Sequence, residues 1–234
     1  MVTCDVGYAV KLDADAAGAL GIVDAKGRHS TLSQSGASVT IALYKGGRLL
    51  VAGLGDTRAI LGGPSKSSAV RVMTQTHSPA DPKEKQRIEQ SGGQVRVIAE
   101  EAPRSTMFAE IVRRETIFPS SARVCAPGEW QPGLAISRAF GDYWAKEIGV
   151  TVEPEFQAAV TGGRGQVLII ASDGVWDVME SQKAVDLCLE FSATQDAEAA
   201  ADSLVHTARL EWERLVKNSG ITIDDISAMV VFLP

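Results

Sequence analysis

The stretch at residues 167–178, V-L-I-I-A-S-D-G-V-W-D-V, constrains this chain most, because an unbroken apolar run ends abruptly in polar turn residues. The apolar residues 167–171 are typical of a strand that is buried on both faces of a sheet. Asp173 follows almost at once, and Gly174 permits a tight turn or a close approach to a ligand. The pattern therefore predicts a carboxylate that is presented at the end of a rigid strand.

Two interpretations of Asp173 remain open at this point. Asp-Gly is a common turn dipeptide, so this carboxylate is explained equally well as a solvated turn residue. A carboxylate on a fixed support is also a suitable ligand for a hard cation such as Mg²⁺ or Mn²⁺. The choice depends on which other residues the chain places beside it.

Three short apolar segments, at residues 39–44, 49–54 and 59–61, form the first clearly patterned region. The link Lys45-Gly46-Gly47-Arg48 between the first two is typical of a β-hairpin. The three segments predict an antiparallel meander, with Asp56 in the turn between its second and third strands.

Helices are predicted mainly after this group of strands. The first begins at Asp81 as N-cap, with Glu84 in the capping-box position, and ends near Ser91 before two glycines. Two further helices and a closing strand are predicted at about 182–190, 196–217 and 226–233. Strands first and helices later favour α+β layers over an alternating parallel sheet.

Two other segments carry open alternatives. His77 precedes the first helix, and it is either a structural histidine or a group that faces phosphate or moves a proton. The alternation of Val150 and Val152 favours a strand within residues 148–156, ended by Pro154.

Composition excludes several classes of function. The net charge of −6 lacks the basic footprint of a nucleic-acid-binding protein, so any chemistry on phosphate needs a local cation. No apolar run approaches the roughly 18 residues of a membrane span. Three widely spaced cysteines predict reduced thiols in a cytoplasmic or nuclear protein, and Cys188 is predicted to lie in the core.

Three carboxylate positions share one pattern, since each adjoins an apolar strand: Asp56, Asp173 and Asp224, the last with Asp225 beside it. Hard cations need several oxygen ligands, which usually come from separate strands that converge in the fold. Spacing alone leaves open whether these strands converge.

Six blocks, taken in order, resemble the metal-dependent protein phosphatases of type 2C, in their plant and protist branch. The blocks are S-G-A-S-V-T-I-A-L (35–43), V-A-G-L-G-D-T-R-A-I-L (51–61), M-T-Q-T-H-S-P-A-D-P-K-E-K-Q-R-I-E-Q-S-G-G-Q-V (73–95), P-G-L-A-I-S-R-A-F-G-D (132–142), I-I-A-S-D-G-V-W-D-V (169–178) and D-D-I-S-A-M-V-V (224–231). The resemblance covers about residues 35–234, and we expect residues 1–234 to form a single domain of this type.

The resemblance implies an α+β fold, a four-layer αββα sandwich of two antiparallel sheets flanked by helices. It implies that Asp173 and Asp224 are metal ligands, and that Asp56 belongs to a further, weaker metal position. Asp142 and Asp177 match motif aspartates that look structural. The implied reaction is hydrolysis of phosphoserine or phosphothreonine by water that two Mg²⁺ or Mn²⁺ ions activate, with no protein nucleophile. The implied partner is a phosphoprotein substrate, and we expect a monomer that binds neither nucleic acid nor membrane.

The sequence departs from the family pattern at one important place. It contains no Asp-Gly-His-Gly-Gly, the family motif whose aspartate bridges both metals, and it also lacks the family arginine that holds the phosphate. We therefore expect a chain that starts after that region, is N-terminally incomplete, and binds a second ion weakly. An alternative stays open, a catalytically impaired pseudophosphatase that acts as a phosphoprotein-binding or regulatory module. Smaller departures are Thr76 for an acidic residue and Asp225 for an asparagine.

Overall fold

The structure is a computed structural model that describes residues 35–97, 122–161 and 165–234, together with three strands near the N-terminus whose backbone alone is described. The strands are β1 (Leu12–Ala14), β2 (Leu20–Val23), β3 (His29–Thr31), β4 (Gly36–Ala37), β5 (Val39–Lys45), β6 (Arg48–Leu54), β7 (Arg58–Gly62), β8 (Arg71–Val72), β9 (Gln94–Val97), β10 (Ala122–Cys125), β11 (Pro132–Leu134), β12 (Phe140–Gly141), β13 (Glu155–Val160), β14 (Gln166–Ala171) and β15 (Ala228–Leu233). The helices are α1 (Pro82–Gln90), α2 (Tyr143–Lys146), α3 (Asp173–Trp176), α4 (Ser181–Leu189) and α5 (Ala197–Leu215).

Two antiparallel sheets face each other and form the centre of the fold. One has the strand order β15-β14-β7-β8 and the other has the order β13-β6-β5. Their inner faces meet in an apolar layer that includes Leu49 and Val51 from β6, and Leu61 and Leu168 from the four-stranded sheet. The alternation of apolar and polar residues in the sequence is thus explained by strands that bury one face.

Helices α4 and α5 cover the outer face of the four-stranded sheet. Ile60 and Ile169 point from that sheet into a cluster with Val185 of α4 and Leu204 of α5. Cys188 lies in the same cluster, fully buried, and burial raises the pKa of its thiol to about 12. The prediction that Cys188 is a core residue is therefore confirmed.

Helix α1 packs in a third, smaller cluster that includes Ile88 and Val124. As predicted, the Asp81 side chain caps this helix, since it accepts hydrogen bonds from the backbone N–H groups of Lys83 and Glu84. The helices and antiparallel sheets confirm the predicted α+β class.

The predicted meander is wrong at its third strand. β5 and β6 form the expected hairpin, but β7 joins the opposite sheet, where it pairs with β14 and β8. The chain crosses between sheets at Gly55, whose φ of +94° is in the region that favours glycine. Asp56 therefore lies in a crossover between sheets and not in a hairpin turn.

The strand predicted from Val150 and Val152 is also wrong in its position. The regular strand there is β13, which starts at Glu155 beyond Pro154, while Thr151 makes only an isolated bridge to Arg138. β13 pairs along its whole length with β6. Pairing with β6 therefore sets the start of β13 at Glu155, and the alternation of Val150 and Val152 did not reveal it.

The outer face of the β13-β6-β5 sheet is exposed in the described part of the chain. Its large apolar side chains are Ile41 and Leu43, both 61% exposed, Leu50 at 42%, Phe156 at 64% and Val160 at 79%. We call these five residues the open face. Among the described residues, helices α4 and α5 flank one face of the sandwich, and no helix covers this one.

None of the helices in the described ranges combines the length and the apolar character needed to span a bilayer.

Candidate functional site

The predicted metal-binding aspartates come from three adjacent strand ends. β14 lies between β7 and β15, and Ala171 at its end pairs with Arg58 on one side and Ala228 on the other. Both pairings are antiparallel, so the end of β14 lies beside the starts of β7 and β15. Asp173, Asp56 and Asp224 each lie a few residues beyond these paired positions, and the fold brings them to one end of the sheet.

Asp173 is the first residue of the short helix α3, where the sequence predicted only a turn. Two tryptophans donate hydrogen bonds to backbone carbonyls on either side of Asp173. Trp176 Nε1 donates to Ala171 O at 2.9 Å, and Trp212 Nε1 of α5 donates to Gly174 O at 2.7 Å.

Ser172 joins this helix to the segment that carries Asp224. Its Oγ donates to Asp225 O and accepts from Ser227 N–H, both at 3.1 Å. Its own N–H donates to Ser227 O at 3.0 Å. Asp225 N–H in turn donates to Asp224 Oδ1 at 2.9 Å, which orients that carboxylate. Asp173 and Asp224 are therefore positioned relative to each other by the residue that precedes the first of them.

Gly174 is required where these two segments meet. A Cβ at this position would collide with Asp225 O and lie 3.2 Å from Ile226 Cα. The glycine that follows Asp173 is thus explained by close backbone approach, one of the two reasons that the sequence left open.

We expect Gly174→Ala to lower the free energy of unfolding by about 1–3 kcal/mol, because the segment that carries Asp224 must move away. Chemical denaturation measures this loss, and a Mn²⁺ titration should show weaker binding. Gly92→Ala is the control, because its Cβ would meet no atom within 4 Å. Its left-handed backbone makes the cost similar, about 1–2 kcal/mol. Equal effects of both variants on Mn²⁺ affinity would contradict the role of Gly174.

Asp56 is held from the side of β5. Ser38 Oγ donates to Asp56 Oδ1 at 2.6 Å and accepts from Asp56 N–H at 3.3 Å. The half-buried carboxylate lines a cleft of about 370 Å³ whose wall is formed mainly by residues 131–136 and also includes Arg123 and Asp142. Asp56 thus lies at the same sheet end as Asp173, but faces a cleft of its own.

Asp142 and Asp177 have different surroundings. Asp142 is buried and has a φ of +45°, and burial raises the pKa of its carboxyl although Lys146 opposes the shift. Burial lowers the pKa of Arg58, and the negative charge of Asp177 opposes that shift. The Arg58 guanidinium lies 4.6 Å from the centre of the Trp176 ring. Both arrangements support the structural interpretation of these two aspartates.

Glu84 forms a buried polar network that the sequence did not predict. Its carboxylate accepts from Arg138 Nη2 at 2.7 Å, from Arg87 Nη2 at 2.9 Å and from Ser137 Oγ at 2.5 Å. Glu84 therefore does not close a capping box, and it is not part of a solvated helix face. Arg138 also reaches Glu155 at 3.3 Å, so the network joins α1 to the start of β13.

No three His, Cys, Asp or Glu side chains in the described ranges form a ready-made metal cage. The donor set still suits a hard divalent cation, because Mg²⁺ is commonly bound by one or two carboxylates and completes its octahedron with water and substrate phosphate. Asp173 and Asp224 are two carboxylates at one end of the same sheet. Sequence reasoning missed Ser172 and Ser38, which orient the carboxylates, and for Ser172 its place in S-D-G was the only signal.

Comparison with known proteins gives a consistent result. The family model described as Protein phosphatase 2C matches residues 14–211. A rice protein, Oryza sativa subsp. japonica probable protein phosphatase 2C 48, is 35% identical over 205 residues, which is 85% of this chain and 52% of that protein. Probable protein phosphatase 2C 34 of Arabidopsis thaliana is 36% identical over 200 residues, covering 85% of this chain and 50% of its own length.

A solved structure is also similar. The crystal structure of serine-threonine phosphatase 2C from Toxoplasma gondii superposes with a TM-score of 0.63 and 27% identity, covering 85% of this chain and 58% of that one. The chain spans about half the length of the curated relatives that it matches.

Proposed function

The chain belongs to the protein phosphatase 2C family, and we propose that it is a metal-dependent phosphatase that hydrolyses phosphoserine and phosphothreonine in proteins. The observation that carries the proposal is the position of two half-buried aspartates, Asp173 and Asp224, which lie just beyond the paired end of β14 and start of β15. The family is metal-dependent. We propose that these two residues are metal ligands, because both match aspartates of the family motifs.

Asp173 and Asp224 would hold the cation, and Asp56, just before β7, would be available at the same end of the sheet. When bound, Mg²⁺ or Mn²⁺ supplies water activation and neutralises charge on the phosphoryl group. The carboxylates supply the negative charge that attracts the cation. Ser172 keeps Asp173 and Asp224 in register, because its hydroxyl bonds to the backbone of Asp225 and Ser227 in the segment that follows Asp224.

The substrate proposal follows from the same chemistry. A protein with a net charge of −6 has no general attraction for a phosphorylated peptide, so recognition must be local. The cation would provide that local charge. We propose a phosphoprotein substrate for this reason.

We also propose that residues 1–234 form one domain.

The rate at which this polypeptide hydrolyses phosphorylated substrates should be low. A carboxylate between two cations reduces their mutual repulsion, and the sequence has no Asp-Gly-His-Gly-Gly to supply one. We therefore expect weak Mn²⁺ binding and slow hydrolysis. The pseudophosphatase alternative predicts phosphopeptide binding with no release of phosphate.

The test is phosphate release from a phosphothreonine peptide, with Mn²⁺ and with a chelator. Asp173→Asn should reduce Mn²⁺ affinity, and the chelator-sensitive rate, by at least about 100-fold. Asp202→Asn is the control, because Asp202 is exposed on α5 away from the sheet end. Hydrolysis that survives the chelator would contradict the proposal. Peptide binding without phosphate release would favour the pseudophosphatase.

A further inference from the structure

His77 is buried against the crossover that carries Asp56. The residue is only 2% exposed, and its imidazole faces the backbone of Gly55. Gly55 N–H donates to His77 Nδ1 at 3.0 Å, and His77 N–H donates to Gly55 O at 2.9 Å. The side chain and the backbone of His77 therefore both bind the residue that immediately precedes Asp56.

On the side of Gly55 away from His77, the backbone packs tightly against Ser38. Its φ is +94°, and a Cβ there would collide with the Ser38 side chain. Ser38 is the residue whose Oγ donates to Asp56 Oδ1. The crossover is thus held between His77 and Ser38, and these two residues together set the direction of the Asp56 carboxylate.

The hydrogen bond to Gly55 also fixes the form of the imidazole. Nδ1 accepts a hydrogen bond, so the neutral ring must carry its proton on Nε2. Burial lowers the pKa of His77, and the neighbouring Arg138 lowers it further, against the opposing effects of Glu155, Glu84 and the Gly55 backbone. The carboxylate oxygen Oε2 of Glu155 lies 3.9 Å from Nε2, beyond hydrogen-bond distance. The surroundings therefore favour the neutral ring that the geometry requires.

The backbone of His77 is anchored on the side away from Gly55. Its carbonyl accepts from Ser137 N–H at 2.8 Å, and the Ser137 hydroxyl donates to Glu84. Glu84 in turn holds Arg138. A continuous set of hydrogen bonds thus runs from the buried Glu84 network through His77 to the Asp56 crossover.

We propose that His77 is a positioning residue, whose Nδ1 holds Gly55 and so fixes the orientation of the Asp56 carboxylate at the sheet end that also carries Asp173. This role rests on the proposed function, because it assumes that Asp56 contributes to cation binding. It assigns a purpose to a histidine that the sequence left undecided between a structural and a chemical role.

The test compares two replacements of His77. Leucine has no acceptor for Gly55 N–H, whereas asparagine offers Oδ1 near the position of Nδ1. We expect His77→Leu to lower Mn²⁺ affinity about 10- to 100-fold, and His77→Asn to restore most of it. The measurement is a Mn²⁺ titration followed by electron paramagnetic resonance, together with hydrogen exchange at the Gly55 and Asp56 amides.

Thr74→Val is the matched control for general destabilisation. Thr74 is also buried, and its Oγ1 accepts a hydrogen bond from Ala59 N–H at 2.9 Å. Its side chain thus binds β7 and not Gly55 or Asp56 in the described part of the chain. This variant should lose stability and keep its Mn²⁺ affinity. An equal loss of affinity in Thr74→Val and His77→Leu, or no rescue by asparagine, would overturn the proposal.

Two further measurements separate the possible failures. Asp56→Asn should weaken Mn²⁺ binding. If it does not while Asp173→Asn does, the positioning role is wrong and the phosphatase proposal stands. If neither does, the phosphatase proposal itself is wrong. Nitrogen NMR of the wild-type imidazole needs no variant, and a proton found on Nδ1 at neutral pH would overturn the positioning role directly.

Discussion

Replacing Glu84 by alanine is expected to lower the free energy of unfolding by about 3–5 kcal/mol, because it removes one partner of a buried ion pair. The Glu84 side chain is 6% exposed and that of Arg138 is 14% exposed, so the guanidinium would remain buried with only the longer carboxylate contact, to the more exposed Glu155. Urea denaturation at pH 7 measures the loss. The control is Glu89→Ala on the same helix, where the ion pair with Lys85 is about half exposed and should contribute less than about 0.5 kcal/mol. Similar losses for both variants would show that the Glu84 network does not stabilise the fold.

The contribution of Glu84 should also depend on pH in a definite direction. Burial alone would raise the pKa of this carboxyl, but hydrogen bonds from Arg138, Arg87 and Ser137 outweigh it and lower the pKa from about 4.5 to about 2. A carboxylate with a lowered pKa in the folded state stabilises the protein fully above pH 4.5. That stabilisation, about 3 kcal/mol by linkage, is lost as the pH falls toward 2. The difference between wild type and Glu84→Ala should therefore fall by roughly half between pH 7 and pH 3. A difference that grows in acid would contradict this assignment.

Replacing Trp212 by alanine is the second change with a large expected effect, a loss of about 3–5 kcal/mol. Trp212 is fully buried on α5, and its indole N–H donates to Gly174 O at 2.7 Å. The variant would lose a large apolar side chain and leave the carbonyl next to Asp173 without this donor. Denaturation followed by circular dichroism measures the loss.

Two controls separate the causes of that effect. Trp212→Phe keeps much of the volume but not the donor, and should cost about 1–3 kcal/mol. Leu210→Ala, at a position of the same helix that is 50% exposed, should cost much less than Trp212→Ala. A loss in Trp212→Ala no larger than in Leu210→Ala would show that α5 does not support the Asp173 helix.

The local part of the fold could be predicted from the sequence. The hairpin of β5 and β6 follows from alternating residues around Gly46-Gly47, since the turn and the burial of one face are both local signals. The start of α1 follows from Asp81 for the same reason. β14 was predicted because a strand covered on both faces contains only apolar residues.

The sheet to which a strand belongs could not be predicted. β7 follows β6 directly, yet its partner β14 lies more than 100 residues later in the chain. Glu84 gives a second example, since its position fits a capping box while its partner Arg138 lies 54 residues away. Local patterns reveal which residues are buried or cap a helix, but not which distant residue they meet.

In the candidate site, too, some residues could be identified from the sequence and others could not. Asp173, Asp224 and Asp56 were identified from strand ends and from motifs, and the antiparallel pairing brings them to one end of the sheet. Ser172 and Ser38 were not identified, because a serine beside a turn has many common uses. Their roles depend on which carbonyl or carboxylate the fold places opposite them.

The open face has a thermodynamic consequence. The side chains of Ile41, Leu43, Leu50, Phe156 and Val160 keep between 42% and 79% of their exposure to water in the described part of the folded chain. Such surface adds little to the heat capacity of unfolding, which is set mainly by the apolar area that folding removes from water. For the described part of the chain, we therefore expect stability to vary less steeply with temperature than if this face of the sheet were also covered.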